Sequence, residues 1–399
     1  MKYSVSFLVL LAFITISCSK KASEPAVKKM QIYTLEKFCM GADLSYANQI
    51  EDHGGIFMDS SVVRDPFVVF KNHGCNLVRV RLWNNPEWTR EVYGTAGTRM
   101  YSDLPDVVKT IQRAKARGMG VNLDFHFSDS WADPSNQNIP IAWKDITDLK
   151  ILEDSVYAFT YNTLRYLDSK GLMPEMVQVG NEINCGMLIS GMPAGFPDLN
   201  ACNGKWQALG EVINIGIKAV RDASVSSAIK PQVILHIADP KNIEWWFDNI
   251  KSTGNVKDFD IIGISYYPLW HTVVPFDNLQ AKISEFKSRY LKKVMIVETA
   301  YPWTTNWDDN YSNQFGSQAA LGGFPFTQKG QYDFMVSLTQ KVISAGGSGV
   351  MVWEPDWITS GLITQWGSGS SMENCAFFDF TGNTIQGIDF MNYQYNFPQ

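Results

Sequence analysis

"MVQVGNE", residues 176–182, runs from apolar and amide residues into Gly180 and then sets Asn181 beside Glu182. A short run of this kind reads as a strand buried on both faces. A carboxylate at its end must be paired, exposed at the strand terminus or used in chemistry, because burying an ionised group without compensation is costly. The same design recurs along the chain. "FCMGADLS" (38–45), "NLVRVRLW" (76–83), "MGVNLDFHF" (119–127), "QVILHIAD" (232–239), "FDIIGISYY" (259–267), "KVMIVETAY" (293–301) and "GVMVWEPDW" (349–357) are all apolar runs that close on polar or aromatic residues. With 176–182 they make eight strand candidates. Helical patterns lie between them at 103–118, 154–171, 206–223 and 331–347, several closing on Gly as helix C-termini do.

Strand and helix alternating to a total of eight strands predict an α/β fold of the (β/α)8 TIM-barrel type, with extended βα loops taking up the surplus length. An open doubly wound sheet would announce a Gly-rich nucleotide loop after an early strand, and none is present. The barrel also places Asp43, Arg81, Asp124, His126, Asn181, Glu182, His236, Tyr266, Glu298 and Trp353 at the C-terminal strand ends, where active sites of that fold lie.

The chain has 399 residues, 45% of them hydrophobic and 13% aromatic, enough to bury a large core. A net charge of -6 argues against nucleic acid and acidic polymers as partners. The N-terminus reads separately. "MKYSVSFLVLLAFITISCSKK" joins a basic start to an apolar stretch too short to span a bilayer, followed by Cys18. It resembles a bacterial lipoprotein signal over 1–17 with Cys18 as the lipidated residue, although Thr15 stands where Leu is usual; an ordinary cleaved signal is the alternative. Residues 18–33 read as a flexible tether and 34–399 as one catalytic barrel. The expectation is an exported monomer held to the bacterial cell envelope by lipid alone. Five cysteines remain after Cys18, with no zinc-site spacing; Cys39 and Cys75 sit in apolar runs. Cys185 and Cys202 flank the loop "GMLISGMPAGFPDLNA" and could be bridged in an oxidising compartment.

Glu182 closes the fourth strand candidate and Glu298 the seventh, and in a barrel these strands face one another across the axis. Two carboxylates about 5–5.5 Å apart suit retaining glycoside hydrolysis, one as nucleophile and the other as acid and then base. Their pKa values must then be set apart by neighbours. The bland alternative is a buried salt bridge to Arg79 or Arg81.

These residues carry a family resemblance. "GNE" on the fourth strand and a Glu closing the seventh resemble the clan A glycoside hydrolases. "GADLSYANQIEDHGG", "VRVRLWNNP", "LDFHFSDSWADPSNQNIPIAW", "VQVGNEINCGML", "DIIGISYYPLWH" and "VETAYPWT" resemble family 53, the endo-β-1,4-galactanases, in the expected order from residue 41 to 303, with "VMVWEPDW" following. The resemblance implies retaining endo-hydrolysis of β-1,4-galactan in pectic arabinogalactan, with no catalytic cofactor. It implies Glu182 as acid/base, Glu298 as nucleophile and Asn181 at the sugar 2-OH. Arg81 is expected beneath the nucleophile, Tyr266 as a donor to it in competition with Tyr267, and Trp353 as the floor beneath the attacked sugar.

Asp124, His126, Ser128, Asp129, Trp131 and Asp133 alternate polar and aromatic groups, which suits sugar hydroxyls and apolar faces; a metal reading lacks a second nearby His. Trp270, Trp303 and Trp88 are loop aromatics that would extend a groove or simply pack. In bacterial members the loop "TTNWDDNYSNQFG" can hold a structural Ca²⁺, and Asp309 and Asn313 match; Trp307 and Tyr311 stand where an acid and a His are expected. An Asx-turn loop is the alternative. Two further readings keep the barrel: another β-glycan, mannan or glucan, as substrate, or a catalytically silent surface glycan-binding lipoprotein.

Overall fold

The computed structural model describes Met1 and residues 32–398, so the expected leader, Cys18 and nearly all of the tether lie outside the described residues. Eight parallel strands close into a barrel in which each pairs with its neighbours in sequence and the last pairs with the first. They are β1 (Cys39–Asp43), β2 (Leu77–Leu82), β3 (Gly120–Phe125), β4 (Met176–Val179), β5 (Gln232–Ala238), β6 (Ile261–Ser265), β7 (Lys293–Glu298) and β8 (Gly349–Val352). All eight fall within the predicted runs.

Among the described residues, the longest helix after each of the first seven strands is α1 (Pro66–Asn72), α2 (Leu104–Ala116), α3 (Leu149–Ser169), α4 (Trp206–Ser224), α5 (Ile243–Ser252), α6 (Leu279–Tyr290) and α7 (Gln328–Ser344), with two short helices, Ala47–Asp52 and Trp88–Glu91, in the loops after β1 and β2. After β8 a 3₁₀ segment, Gln386–Asn392, packs on α7 in the place of an eighth helix. The sequence reading missed α1, α5 and α6, which are short or flanked by polar loops. It also began α3 five residues late, because Asp148 caps the backbone N–H groups of Lys150 and Ile151 and so starts the helix there.

Strand alternation sorts the barrel interior into two ends. Cys39, Leu77, Met176, Ile234, Ile261, Met295, Val297 and Met351 form one apolar cluster inside. Two residues further along the same inward rows stand Arg79, Gln178 and His236, giving the C-terminal end a buried polar layer. The second set of side chains seals the barrel against its helices.

Tyr33 corrects the tether boundary. It is buried, its hydroxyl donates to the carbonyl of Tyr393 at 2.8 Å and accepts the N–H of Tyr395 at 2.8 Å, so the chain joins the barrel before residue 34. Cys185 and Cys202 are bridged, and Cys39, Cys75 and Cys375 are buried free thiols. Among the described residues no helix is long and apolar enough to cross a membrane.

Candidate active site

Two irregularities aim the glutamates. At the end of β4, Gly180 takes φ 88°, and a Cβ there would lie 2.7 Å from Cγ2 of Ile183, so only glycine fits the turn. Glu182 itself adopts φ 47°, a left-handed conformation costing on the order of 1 kcal/mol in a residue with a Cβ. The turn is held by Ile183 N–H donating to His236 O at 3.1 Å and by Gln137 Nε2 donating to Asn181 O at 2.8 Å. On β7 the register shifts: Ile264 pairs with Ile296, but Ser265 pairs with Glu298. The extra residue is a bulge, which lets consecutive residues turn the same way; Val297 fills the apolar interior while Glu298 reaches the polar layer.

Arg79 organises that layer. Its Nη1 lies 2.7 Å from Asp43, and its Nη2 lies 2.6 Å from Asp124, 2.7 Å from Glu298 and 2.8 Å from Asn181. Nε donates to Gln178 at 2.9 Å. The opposite oxygen of Glu298 accepts from the Tyr267 hydroxyl at 2.9 Å, and Ser265 Oγ lies 3.3 Å away. One oxygen of Glu182, one of Glu298 and a ring nitrogen of His236 all lie within 4.8 Å of one another.

Burial raises the pKa of both glutamates, but not equally. Glu182 is pushed well above the ordinary carboxylate value by desolvation and then by the charge of Glu298. For Glu298 burial is again the largest influence, but the Arg79 cation and the Tyr267 hydroxyl pull it back. Tyr267, raised by its own burial and by the two glutamates, stays protonated and so remains a donor. Burial therefore favours the neutral form more strongly at Glu182 than at Glu298, beside which the Arg79 cation and the Tyr267 hydroxyl stand.

Both open into a cleft of about 790 Å³ lined also by Arg81, His126, Trp131, Asp133, Asn181, Trp270 and Trp353. Trp131 and Trp353 meet edge-on at 5.6 Å, and the half-exposed Trp270 stacks on Phe315 at 4.0 Å. His126 accepts from Trp83 Nε1 at 3.1 Å and faces Asp124 at 3.2 Å, while Asp133 closes an Asx turn at the rim. Trp366, Trp357, Tyr311 and Gln314, from the loops after β7 and β8, also line the cleft, and the sequence reading assigned none of them to it.

Several expectations are corrected. Arg81 does not sit beneath Glu298: it pairs with Glu354 and lies between the rings of Tyr46 at 4.0 Å and Trp131 at 4.2 Å. It lies two positions beyond Arg79 on the same face of β2, and the deeper position is the one that meets the glutamate. Tyr266 points away, donating to Val274 O at 3.3 Å. Gly263, Ser265 and Tyr267 share the inward parity, so strict alternation would have chosen Tyr267. Asp124 is fully buried on Arg79 and out of the cleft. Asp129 accepts from Asn85 N–H and Ile141 N–H at 2.9 and 2.8 Å and staples two loops. Trp303 lies off the cleft against Phe380, donating to Glu373 O at 3.2 Å.

In the β7 loop, the oxygens of Asp309 accept from Tyr311 N–H, Ser370 N–H and Thr359, whose hydroxyl also meets Glu373. Asn313 has a buried carboxamide with neither atom partnered. These oxygens are of the class Ca²⁺ takes, although Asp309 already serves its own loop. Among the described residues it belongs to no cluster of three acidic, His or Cys side chains that could hold a metal.

Comparison with known proteins agrees with this geometry. Residues 39–391 match the model of glycosyl hydrolase family 53. The arabinogalactan endo-β-1,4-galactanase of Cellvibrio japonicus is 45% identical over 346 residues, covering 86% of this chain and 87% of that protein. The endo-β-1,4-galactanase of Bacillus subtilis is 30% identical over 410 residues, covering 94% and 89%. The GH53 catalytic domain of Ignisphaera aggregans superposes with a TM-score of 0.79 at 32% identity, covering 92% of this chain and all of that one. A barrel closed around two glutamates at the ends of β4 and β7, matched along nearly its whole length, places this chain in glycosyl hydrolase family 53.

Proposed function

We propose that the protein cleaves β-1,4-galactan internally with retention of anomeric configuration. The observation that carries the mechanism is the proximity of Glu182 and Glu298, whose oxygens approach within 4.8 Å. Retaining pairs stand about 5–5.5 Å apart, whereas inverting pairs need about 6.5–9.5 Å to admit a water. Glu298, ionised beside Arg79 and Tyr267, attacks the anomeric carbon as Glu182 gives its proton to the departing glycosidic oxygen. Glu182 then takes a proton from the water that releases the sugar. Asn181 has one amide hydrogen on Ala132 O at 2.7 Å, which leaves its second for a sugar hydroxyl. Trp131, Trp353 and Trp270 offer flat faces along the cleft. The galactan assignment is supported by the relatives' activities and by the sequence blocks of the first section.

The test is incubation of the protein from residue 32 onward with linear β-1,4-galactan, β-mannan and β-glucan beside a Glu298→Gln control. Oligosaccharides from galactan alone, absent in the control, are expected. Products from another glycan would overturn the substrate and keep the mechanism. Silence on all three with binding retained would leave a glycan-binding protein.

A structural Ca²⁺ on the β7 loop belongs to the same proposal. The unpartnered carboxamide of Asn313 and the carboxylates of Asp309 and Glu373, which meet at Thr359, support it.

A further inference from the structure

The left-handed φ of 47° at Glu182 is costly for a residue with a Cβ, so it persists only where the surroundings impose it. That angle is the rotation of Glu182 relative to the peptide joining it to Asn181. Whatever fixes this peptide therefore aims the carboxyl. On the far side of Glu182 the chain is held by Ile183 N–H on His236 O at 3.1 Å and by Trp246 Nε1 on Ile183 O at 3.0 Å. On the near side, Asn181 O accepts from Gln137 Nε2 at 2.8 Å, and among the described residues no other donor reaches that oxygen. The same nitrogen lies 3.0 Å from Asp133 O and 3.4 Å from Glu182 O, so its two hydrogens serve the two nearer carbonyls.

Gln137 is itself well anchored. It is buried, its carbonyl accepts from Ile189 N–H and Ser190 N–H at 2.9 Å each, and its own N–H donates to Ser190 Oγ at 2.7 Å. Asn136 and Asn138 on either side of it line the cleft, and Gln137 does not. The β3 loop also gives Ala132 O to the Asn181 amide at 2.7 Å, so both the side chain and the main chain of Asn181 are moored to it. We propose that Gln137 is a positioning residue for the acid: its amide clamps the peptide before Glu182, holds the left-handed turn and so aims the carboxyl at the leaving glycosidic oxygen. The proposal rests on the reading of Glu182 as the acid. Without those hydrogens Asn181 O is a buried carbonyl lacking its donor, and the peptide can rotate toward an unstrained angle, which swings the Glu182 side chain. A misplacement of about 1 Å at a reacting group costs about a hundredfold in rate.

The test is how the loss depends on the leaving group. The departing oxygen of galactan needs the proton of the acid, whereas the 2,4-dinitrophenyl glycoside of β-1,4-galactobiose releases a stable anion that leaves with the bonding electrons and needs none. Gln137→Met keeps the length of the side chain and removes its hydrogens. In that variant kcat on galactan is expected to fall about ten- to a hundredfold with KM little changed, while kcat/KM on the aryl glycoside, which reports formation of the glycosyl-enzyme, stays within about threefold. Ser190→Ala, at a half-buried position, loosens Gln137 from its other side and is expected to show the same split at smaller size, so the test stands even where the first variant does not fold. A merely structural role lowers both substrates together. Equal losses on the two substrates, or no loss on galactan in the variants that fold, overturn the clamp. Glu182→Gln separates the two readings. If it loses both substrates alike or spares both, Glu182 is not the acid. If it loses galactan alone while the Gln137 and Ser190 variants show no such split, only the clamp fails.

Discussion

Tyr266 and Tyr267 are adjacent, both buried and chemically identical, yet only Tyr267 reaches Glu298. A hydrogen bond to a charged group contributes about 1.5–3 kcal/mol. If Tyr267 holds the nucleophile, Tyr267→Phe lowers kcat by about ten- to a hundredfold, while Tyr266→Phe, which loses only a long contact to a carbonyl, stays within about twofold. Steady-state kinetics on galactan checks both, and equal losses would show that the loss is one of packing. Arg79 and Arg81 repeat the lesson in cations. The first faces three carboxylates, and the second is bonded to Glu354 and stacked on Trp131. A planar fork with several acceptors cannot be replaced by a point charge in either place.

The strand ends and the loops beyond them divide the labour differently. The bulge of β7 and the Gly180 turn of β4 are rigid backbone devices, so the glutamates stand on the scaffold rather than on loops. The loops after β7 and β8 supply the cleft wall and meet through Asp309, Thr359, Ser370 and Glu373. A Ca²⁺ bound there would tie the two loops together. Protein stripped with EDTA is then expected to gain about 5 °C in melting temperature on adding calcium in large excess over its Kd, and Asn313→Ala to lose that gain. An unchanged melting temperature would return the loop to its Asx-turn reading.

Across the molecule, the barrel concentrates acids at one end beyond what its two buried arginines neutralise. Glu354, paired with Arg81, has its pKa pushed up to about 8 by burial, and Asp356, with both oxygens unpartnered, is also raised well above the usual range. A carboxyl whose pKa is higher folded than unfolded keeps its proton in the native state while the unfolded chain releases one. Its contribution to stability is complete below the ordinary value of 4.5 and is lost as pH rises toward about 8. The melting temperature should therefore fall across that window, and Glu354→Gln, which cannot ionise, should flatten the fall. An unaltered slope in the variant would assign the dependence to other groups.

The alternation of apolar runs and helical patterns determined the barrel, since a parallel strand buried on both faces has a sequence signature of its own. Glu182 and Glu298 were legible for the same reason, as charges ending runs where nothing polar is needed for packing. The tertiary structure decided what depends on depth and register. Arg79 rather than Arg81, Tyr267 rather than Tyr266, and Asp124 inside rather than in the cleft follow from which layer of the barrel a side chain reaches. Trp366 and Gln314 join the site only because distant loops fold over it. His236 was visible as a strand end, but its partners Asn181, Gln178 and Ser265 come from the two strands beside it, and no local pattern in one strand encodes what its neighbours will present to it.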